Sequence, residues 1–210
     1  MANRLVKKYN MSPRTAEQFD QIRQEKKELI TSASLELFAA NGYHATSISQ
    51  IAKKAGISKG LIYNYFDSKN EILNEIINNG FKSVYKGFDL NHDSILTREE
   101  FVYFLRQSFS LVRGNPRYWK LFYALMLQPK VSDTFKDEYL KFGEPLFKIM
   151  SEFIVSMGST DPEGDLMVVS AIIEGALLYC TLLPEVFTPE ILEEKTINAI
   201  FRLIQTKNKE

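Results

Sequence analysis

One cysteine, Cys180, in 210 residues excludes an intrachain disulfide, so packing alone must hold the fold. Two histidines, His44 and His92, form no zinc-ligand cluster, and no Ser/His/Asp or phosphate-loop arrangement is recognisable. The chain does not read as an enzyme, and no cofactor or metal is expected. No run of about 18 uninterrupted apolar residues suggests a membrane span. The first ten residues, MANRLVKKYN, carry charges where a signal peptide would need its apolar core, so a cytoplasmic protein is expected. Cys180 lies in the apolar run ALLYCTLL and reads as ordinary core, with redox sensing or ligand contact as the other readings.

Net charge is also lacking, with 26 Lys/Arg against 26 Asp/Glu. The balance is uneven along the chain, because residues 1–80 hold eleven Lys/Arg and eight Asp/Glu. That asymmetry has the sign a nucleic-acid partner wants, but it is too small to argue for one without a motif. With 45% apolar and 25% charged residues, the chain has the composition of a folded globular protein.

The motif is the stretch Thr46 to Phe66, TSISQIAKKAGISKGLIYNYF. Thr46 or Ser47 can cap a helix whose apolar face carries Ile48, Ile51, Ala52 and Ala55. Gly56 stands where that helix must stop and the chain turn sharply. Ile57 can plug the angle, and Ser58 can cap a second helix with Ile62 and Phe66 facing the core. That is a helix-turn-helix pattern, in which the N-terminal residues Lys59, Gly60 and Leu61 of the second helix would meet base edges in a major groove.

The residues around this pattern resemble the DNA-binding domain of the tetracycline-repressor (TetR) family over roughly Glu25 to Ile77. The matching run is Ala33, Leu37, Phe38, Gly42, Tyr43, Thr46, Ser47, Ile48, Ile51, Ala52, Ala55, Gly56, Ser58, Lys59, Gly60, Tyr63, Tyr65, Phe66 and Lys69. The resemblance implies that Tyr63 and Tyr65 donate to phosphates, that Lys69 meets a phosphate, and that Thr46 or Ser47 clamps the opposite strand's backbone. Such contacts set register. Sequence would be read by Lys59 on guanine, Asn64 on adenine and Leu61 on a thymine methyl. Ile48 stands where some family members carry a polar base reader, and here it is expected to pack inward.

Residues 1–20, with Lys7, Lys8 and Arg14, are expected to form a mobile arm, either solvated or tracking a DNA backbone or entering a minor groove. Asp20 is placed to cap a first helix that carries Ile22, Leu29, Ile30, Ala33, Leu37 and Phe38 and ends at Asn41 and Gly42. Another helix should begin at Asp67 or Ser68 and run toward Phe81. Beyond residue 82 every strong segment reads as helix, with breaks at 91–94, 114–116, 128–132, 158–162 and 183–189. The fold expected is therefore all-α: an arm over 1–20, a helix-turn-helix domain over 21–80, and a ligand-binding and dimerisation domain over 81–210. Gly143 and Pro145 predict a kink or short interruption.

A competing motif occupies the segment from Asp89 to Glu100. Asp89, Asn91, Asp93, Ile95 and Glu100 match calcium-loop positions, but Ser94 replaces the turn glycine. Thr97 and Glu100 also make a capping box, which explains the same residues without an ion.

From Asp165 to Leu183 apolar residues surround the helix, which requires burial on more than one side. Ile191, Leu192, Ile197, Ile200, Phe201 and Ile204 form a narrower face. The resemblance implies that helices at about 165–183 and 189–205 pair across a two-fold axis, presenting recognition helices to half-sites about 34 Å apart. It also implies a ligand cavity among the ring-rich middle helices. Tyr103, Arg106, Trp119, Tyr123 and Glu174 are the candidate polar lining for an apolar or aromatic small molecule. The expected mechanism is a dimeric repressor on a palindromic double-stranded operator, released by that ligand. A same-fold regulator controlled by a protein partner is the alternative, ahead of calcium-responsive or enzymatic bundles.

Overall fold

A computed structural model describes residues 15–88, 91, 93–129 and 131–205. Among them are nine helices and no strand: α1 (Ala16–Asn41), α2 (Ile48–Ala55), α3 (Lys59–Tyr63), α4 (Lys69–Tyr85), α5 (Arg98–Gly114), α6 (Pro116–Met126), α7 (Val131–Ser156), α8 (Pro162–Leu182) and α9 (Pro189–Gln205). The all-α expectation holds, and each expected break falls between two helices.

Two local expectations are corrected. α1 begins earlier than Asp20, because Thr15 caps it: the Gln18 amide donates to Thr15 Oγ1, and the Gln18 side chain accepts from the Thr15 amide at 3.1 Å. Residues 16–20 therefore belong to the helix, and the rest of the expected arm, 1–14, lies outside the described residues. The capping box is legible in the sequence, but the turn after it is solvent-exposed and carries no apolar periodicity to announce a helix. α7 runs unbroken through Pro145, so of the kink or short interruption expected there, the interruption does not occur. At Gly143 a Cβ would stand 2.6 Å from the Phe147 ring one turn on, so a larger residue would have to displace that ring.

α4 joins the two halves. Ser68 caps it, with the Glu71 amide donating to its hydroxyl at 3.1 Å. Its buried Ile72, Leu73, Ile76 and Ile77 continue into Phe81. At Gly80 the Phe122 ring of α6 lies where a Cβ would be 2.5 Å away, so only glycine permits this approach. One buried cluster extends from Ile30 in α1 to Ile204 in α9, and α4 crosses the expected boundary at residue 80 without a break.

Many of the aromatic residues are core. Phe101, Phe104, Phe109, Trp119, Phe122 and Phe153 are buried, as is Cys180. Burial pushes the Cys180 thiol up to about 11, which disfavours the thiolate that redox chemistry needs. α8 buries Val169, Ile173, Ala176 and Leu177, while Met167, Val168, Tyr179 and Leu182 face outward. By length and composition α8 could cross a membrane. Burial of one side against α5, α7 and α9 accounts for part of that apolarity, and the outward stripe for the rest.

Candidate nucleic-acid interface

The α2–α3 corner is built by local chemistry. Ser47 caps α2 reciprocally with Gln50: its amide donates to Gln50 Oε1 at 2.7 Å, and the Gln50 amide donates to its hydroxyl at 3.3 Å. Gly56 ends α2 at φ +67°, ψ 29°. Its amide donates to the Lys53 carbonyl at 3.3 Å, and the Ile57 amide to the Ala52 carbonyl at 3.0 Å. These two bonds are a Schellman closure, which requires the left-handed conformation glycine adopts without strain. Ser58 then caps α3, accepting from the Leu61 amide at 3.1 Å.

Helical spacing sorts the next residues by face. Ile62 and Phe66 are buried, Leu61 and Tyr65 are half-buried, and Ser58, Lys59, Gly60, Tyr63 and Asn64 are exposed. Tyr63, 47% exposed, is too large and open to serve packing. The Lys59 ammonium lies 5.9 Å from its ring centroid, so the cation and the phenol share one surface. Arg23 of α1 lies 5.6 Å over the Tyr65 ring, adding a cation that the sequence could not place because it is far away along the chain. A hydroxyl, an ammonium, a phenol and an amide thus face solvent from one short helix and its cap, which suits hydrogen bonding to phosphates and base edges.

Thr46 and Lys69 are placed differently from the sequence expectation. Thr46 is 1% exposed, and its hydroxyl faces the carbonyls of Gly42 at 2.9 Å and Leu37 at 3.2 Å. It fastens the α1–α2 loop, so of the Thr46/Ser47 pair only Ser47 is exposed. The Lys69 ammonium donates to the carbonyls of Tyr43 at 2.7 Å, Thr46 at 2.8 Å and His44 at 3.2 Å. Its three donors are all taken, and it also lies 4.5 Å over the Tyr43 ring. Desolvation lowers its pKa. In this conformation Lys69 ties α4 to the loop that precedes α2 and has no donor left for a phosphate. Ile48 packs against the core, as expected.

Two further polar links tie this corner to the rest of the protein. Glu36 of α1 receives Lys54 of α2 at 2.6 Å and Arg117 of α6 at 2.7 Å. The Lys54 ammonium holds the Glu36 carboxyl below its ordinary range, and Arg117 adds to the effect. Gln128, after α6, donates to the Phe38 carbonyl at 2.7 Å and accepts from the Tyr43 amide at 2.9 Å. The links to α6 and Gln128 were not legible in sequence, since Glu36 and Arg117, Phe38 and Gln128, and Tyr43 and Gln128 lie 81, 90 and 85 positions apart.

The five candidate ligand residues do not form one site. Tyr103 is exposed, and Arg106 is a surface residue whose guanidinium lies 3.9 Å from Glu193. Trp119 is buried against Tyr118 and Phe122. Tyr123 and Glu174 do approach one another: the Glu174 charge helps raise the Tyr123 phenol, after burial itself. Glu174 lines a recess of about 50 Å³ with Tyr85, Phe88, Phe104, Tyr139 and Phe147. Glu174 is exposed as a residue, yet desolvation by the surrounding side chains raises its pKa. Tyr85 and Tyr139 were missed, because only the α4–α7–α8 packing brings them beside Glu174. A larger groove of about 620 Å³ runs between α1, α4 and α6, but it lies open to solvent and is bordered by Glu28, Ser32, Lys82 and Lys86.

The calcium reading loses its best ligand. Glu100 Oε2 accepts from the Thr97 amide at 3.0 Å and its hydroxyl at 2.8 Å, completing the capping box of α5. Asp93 Oδ1 accepts from the Ile95 amide at 2.8 Å, which makes a local turn. Asp89 lies outside the described residues, among which no group of three His, Cys, Asp or Glu could hold a metal.

Residues 30–76 match the family described as bacterial regulatory proteins, tetR family. An HTH-type transcriptional regulator of Bacillus subtilis, YuxN, is 48% identical over 54 residues, 26% of this chain and 19% of that protein. The fatty acid metabolism regulator protein of the same species is 31% identical over 87 residues, 41% of this chain and 45% of that protein. These matches thus span less than half of the relatives' own lengths. The structure of NalD, the secondary repressor of the MexAB-OprM multidrug efflux pump in Pseudomonas aeruginosa, superposes with a TM-score of 0.68 at 19% identity, covering 85% of this chain and 96% of that one. The α2–α3 corner thus lies inside the stretch that matches the tetR family of bacterial regulatory proteins, and the chain as a whole shares the all-helical fold of NalD.

Proposed function

We propose that the protein is a cytoplasmic transcriptional regulator, a homodimeric repressor that binds a palindromic duplex and is released by a small molecule. The observation that carries the reading is the exposed row Ser58, Lys59, Gly60, Tyr63 and Asn64 beside buried Ile62 and Phe66. It is held at a fixed angle to α2 by the Gly56 closure. Ser47, Tyr63 and Tyr65 would contact phosphates, while Lys59, Leu61 and Asn64 would read bases. The repressor sense is drawn from relatives such as NalD.

The outward stripe of α8, with Met167, Val168, Ala171, Tyr179 and Leu182 exposed, is the surface through which two copies would pair, with Ile191 of α9 beside it. An apolar stripe of this extent marks an association surface, and a two-fold pairing would set two copies of α3 about 34 Å apart. Residues 21–80 would form the DNA-binding unit and 81–210 the ligand-binding and dimerisation unit, with α4 transmitting between them. The effector would enter the recess at Glu174. Its present 50 Å³ is below the several hundred Å³ of a filled ligand site, so binding must displace side chains. That coupled displacement is the differential interaction that regulation requires.

The test is selection from a library of random duplexes at near-physiological salt with the purified protein. A two-fold-symmetric consensus is expected. Failure of a folded dimer to enrich any sequence would overturn the reading.

A further inference from the structure

We propose that the small molecule this recess accepts is a monocation with an apolar body, its positive charge seated against Glu174 and the rings of Tyr85 and Tyr139. The proposal rests on the recess being the effector site, and it adds the chemical class.

Charge complementarity carries the argument. Glu174 is the acidic residue of the lining, and no Lys, Arg or His stands among the lining residues. Among the described residues Glu174 has neither an ion pair nor a hydrogen bond. The cations of neighbouring α5 are committed elsewhere: Arg113 pairs with Glu193 at 2.9 Å, and Arg106 lies 3.9 Å from the same carboxylate. Among the described residues no cation is seated against this acid, and an acid in partial desolvation gains from a cation more than a solvated one does.

The walls add a second attraction. Tyr85 stacks on Phe104 at 6.0 Å between centroids, and Phe88 meets Phe104 edge to face at 5.1 Å. Tyr139 packs on Phe147 at 5.5 Å. Ring faces attract a poorly hydrated cation such as a quaternary ammonium, while Leu146, Met150, Leu166 and Ile173 offer an apolar bed for its chain. A carboxylate or phosphate head would meet Glu174 with no cation to neutralise it. The recess thus disfavours a fatty-acid-type anion, although one relative is a fatty acid metabolism regulator protein.

The test uses the full-length protein and three probes of matched chain length: octyltrimethylammonium, octanol and octanoate. Dissociation constants are read by calorimetry, with Trp119 fluorescence as a second signal. The ammonium is expected to bind about tenfold or more tightly than either other probe. Glu174→Gln should erase most of that preference while leaving octanol binding unchanged, Tyr139→Leu should weaken the ammonium selectively, and Glu163→Gln on the same helix should change nothing. Equal or tighter octanoate binding, full cation preference in a folded Glu174→Gln protein, or no binding of the ammonium overturns the proposal. Because binding is read without DNA, failure of the regulatory reading shows separately, as a selected duplex that stays bound when the ammonium saturates the protein.

Discussion

Gln128 and Tyr43 meet across 85 positions of sequence: the Tyr43 amide donates to Gln128 Oε1 at 2.9 Å, while Gln128 Nε2 reaches back to the Phe38 carbonyl at 2.7 Å. One side chain just after α6 thus binds a carbonyl in the last turn of α1 and the second amide of the following loop. Gln128→Leu leaves the Tyr43 amide without its partner, while the Phe38 carbonyl keeps the Gly42 amide at 3.0 Å. It is expected to cost about 1–3 kcal/mol in chemical denaturation and to speed hydrogen exchange at Tyr43. Unchanged exchange at that amide would show that the link does not hold the loop.

Lys69 and Tyr63 should separate by measurement. Lys69→Met removes three hydrogen bonds to the 43–46 loop. It should lower stability and weaken DNA binding while leaving the salt dependence nearly unchanged. Tyr63→Phe should leave stability alone and weaken binding on all sequences. A drop of about 0.9 in the log-log salt slope for Lys69→Met, at unchanged stability, would return that residue to the phosphate-contacting set.

Asn64 is exposed at the end of α3 and spends its backbone, not its side chain, on the turn. Asn64→Ala should change the selected duplex at one position per half-site and leave stability within about 0.5 kcal/mol. The same consensus from the variant would remove Asn64 from the base-reading set.

Burial raises the Glu174 carboxyl above its ordinary range, so the folded state holds that proton more tightly than the unfolded chain does. The resulting handicap to folding is absent below the unfolded value of about 4.3 and grows as pH rises through the folded value. Glu174→Gln should therefore raise Tm at pH 8 and leave it unchanged at pH 4. A variant no more stable than the parent at pH 8 would show that water at the mouth of the recess screens the charge.

Ala171 is exposed midway along the outward stripe of α8. Ala171→Arg should shift the protein from dimer to monomer in sedimentation, with helicity retained, and should abolish binding to the full palindrome. A dimer that survives the substitution would move the interface off this stripe.

The elements legible in the sequence were those whose cause is local. Ser47, Gly56, Ser58, Ser68 and Thr97 announce helix ends because caps and left-handed turns are satisfied within a few residues of backbone. The two-sided apolarity of α8 is likewise a property of its own spacing. α1 began earlier than expected because its first turn is exposed and lacks the apolar rhythm by which a helix is recognised. Pro145 sits within an unbroken α7, where packing of the flanking turns overrides local propensity.

By itself the sequence determined the helix-turn-helix corner, the all-α order and the division of α3 into buried and exposed faces, since each follows from short-range backbone chemistry and a 3.6-residue period. Only the tertiary structure decided where charges and hydroxyls would be spent. It turned Thr46 inward, gave the Lys69 ammonium to three carbonyls, moved Arg106 to the surface opposite Glu193, and set Tyr85, Tyr123 and Tyr139 around Glu174. Those outcomes depend on which helices lie side by side. Apart from Thr46, whose partners lie 4 and 9 positions away, these are residues about 25 to 90 positions apart, brought together by burial of apolar surface, which is non-directional, and one residue's spacing cannot reveal which distant polar group will share its neighbourhood.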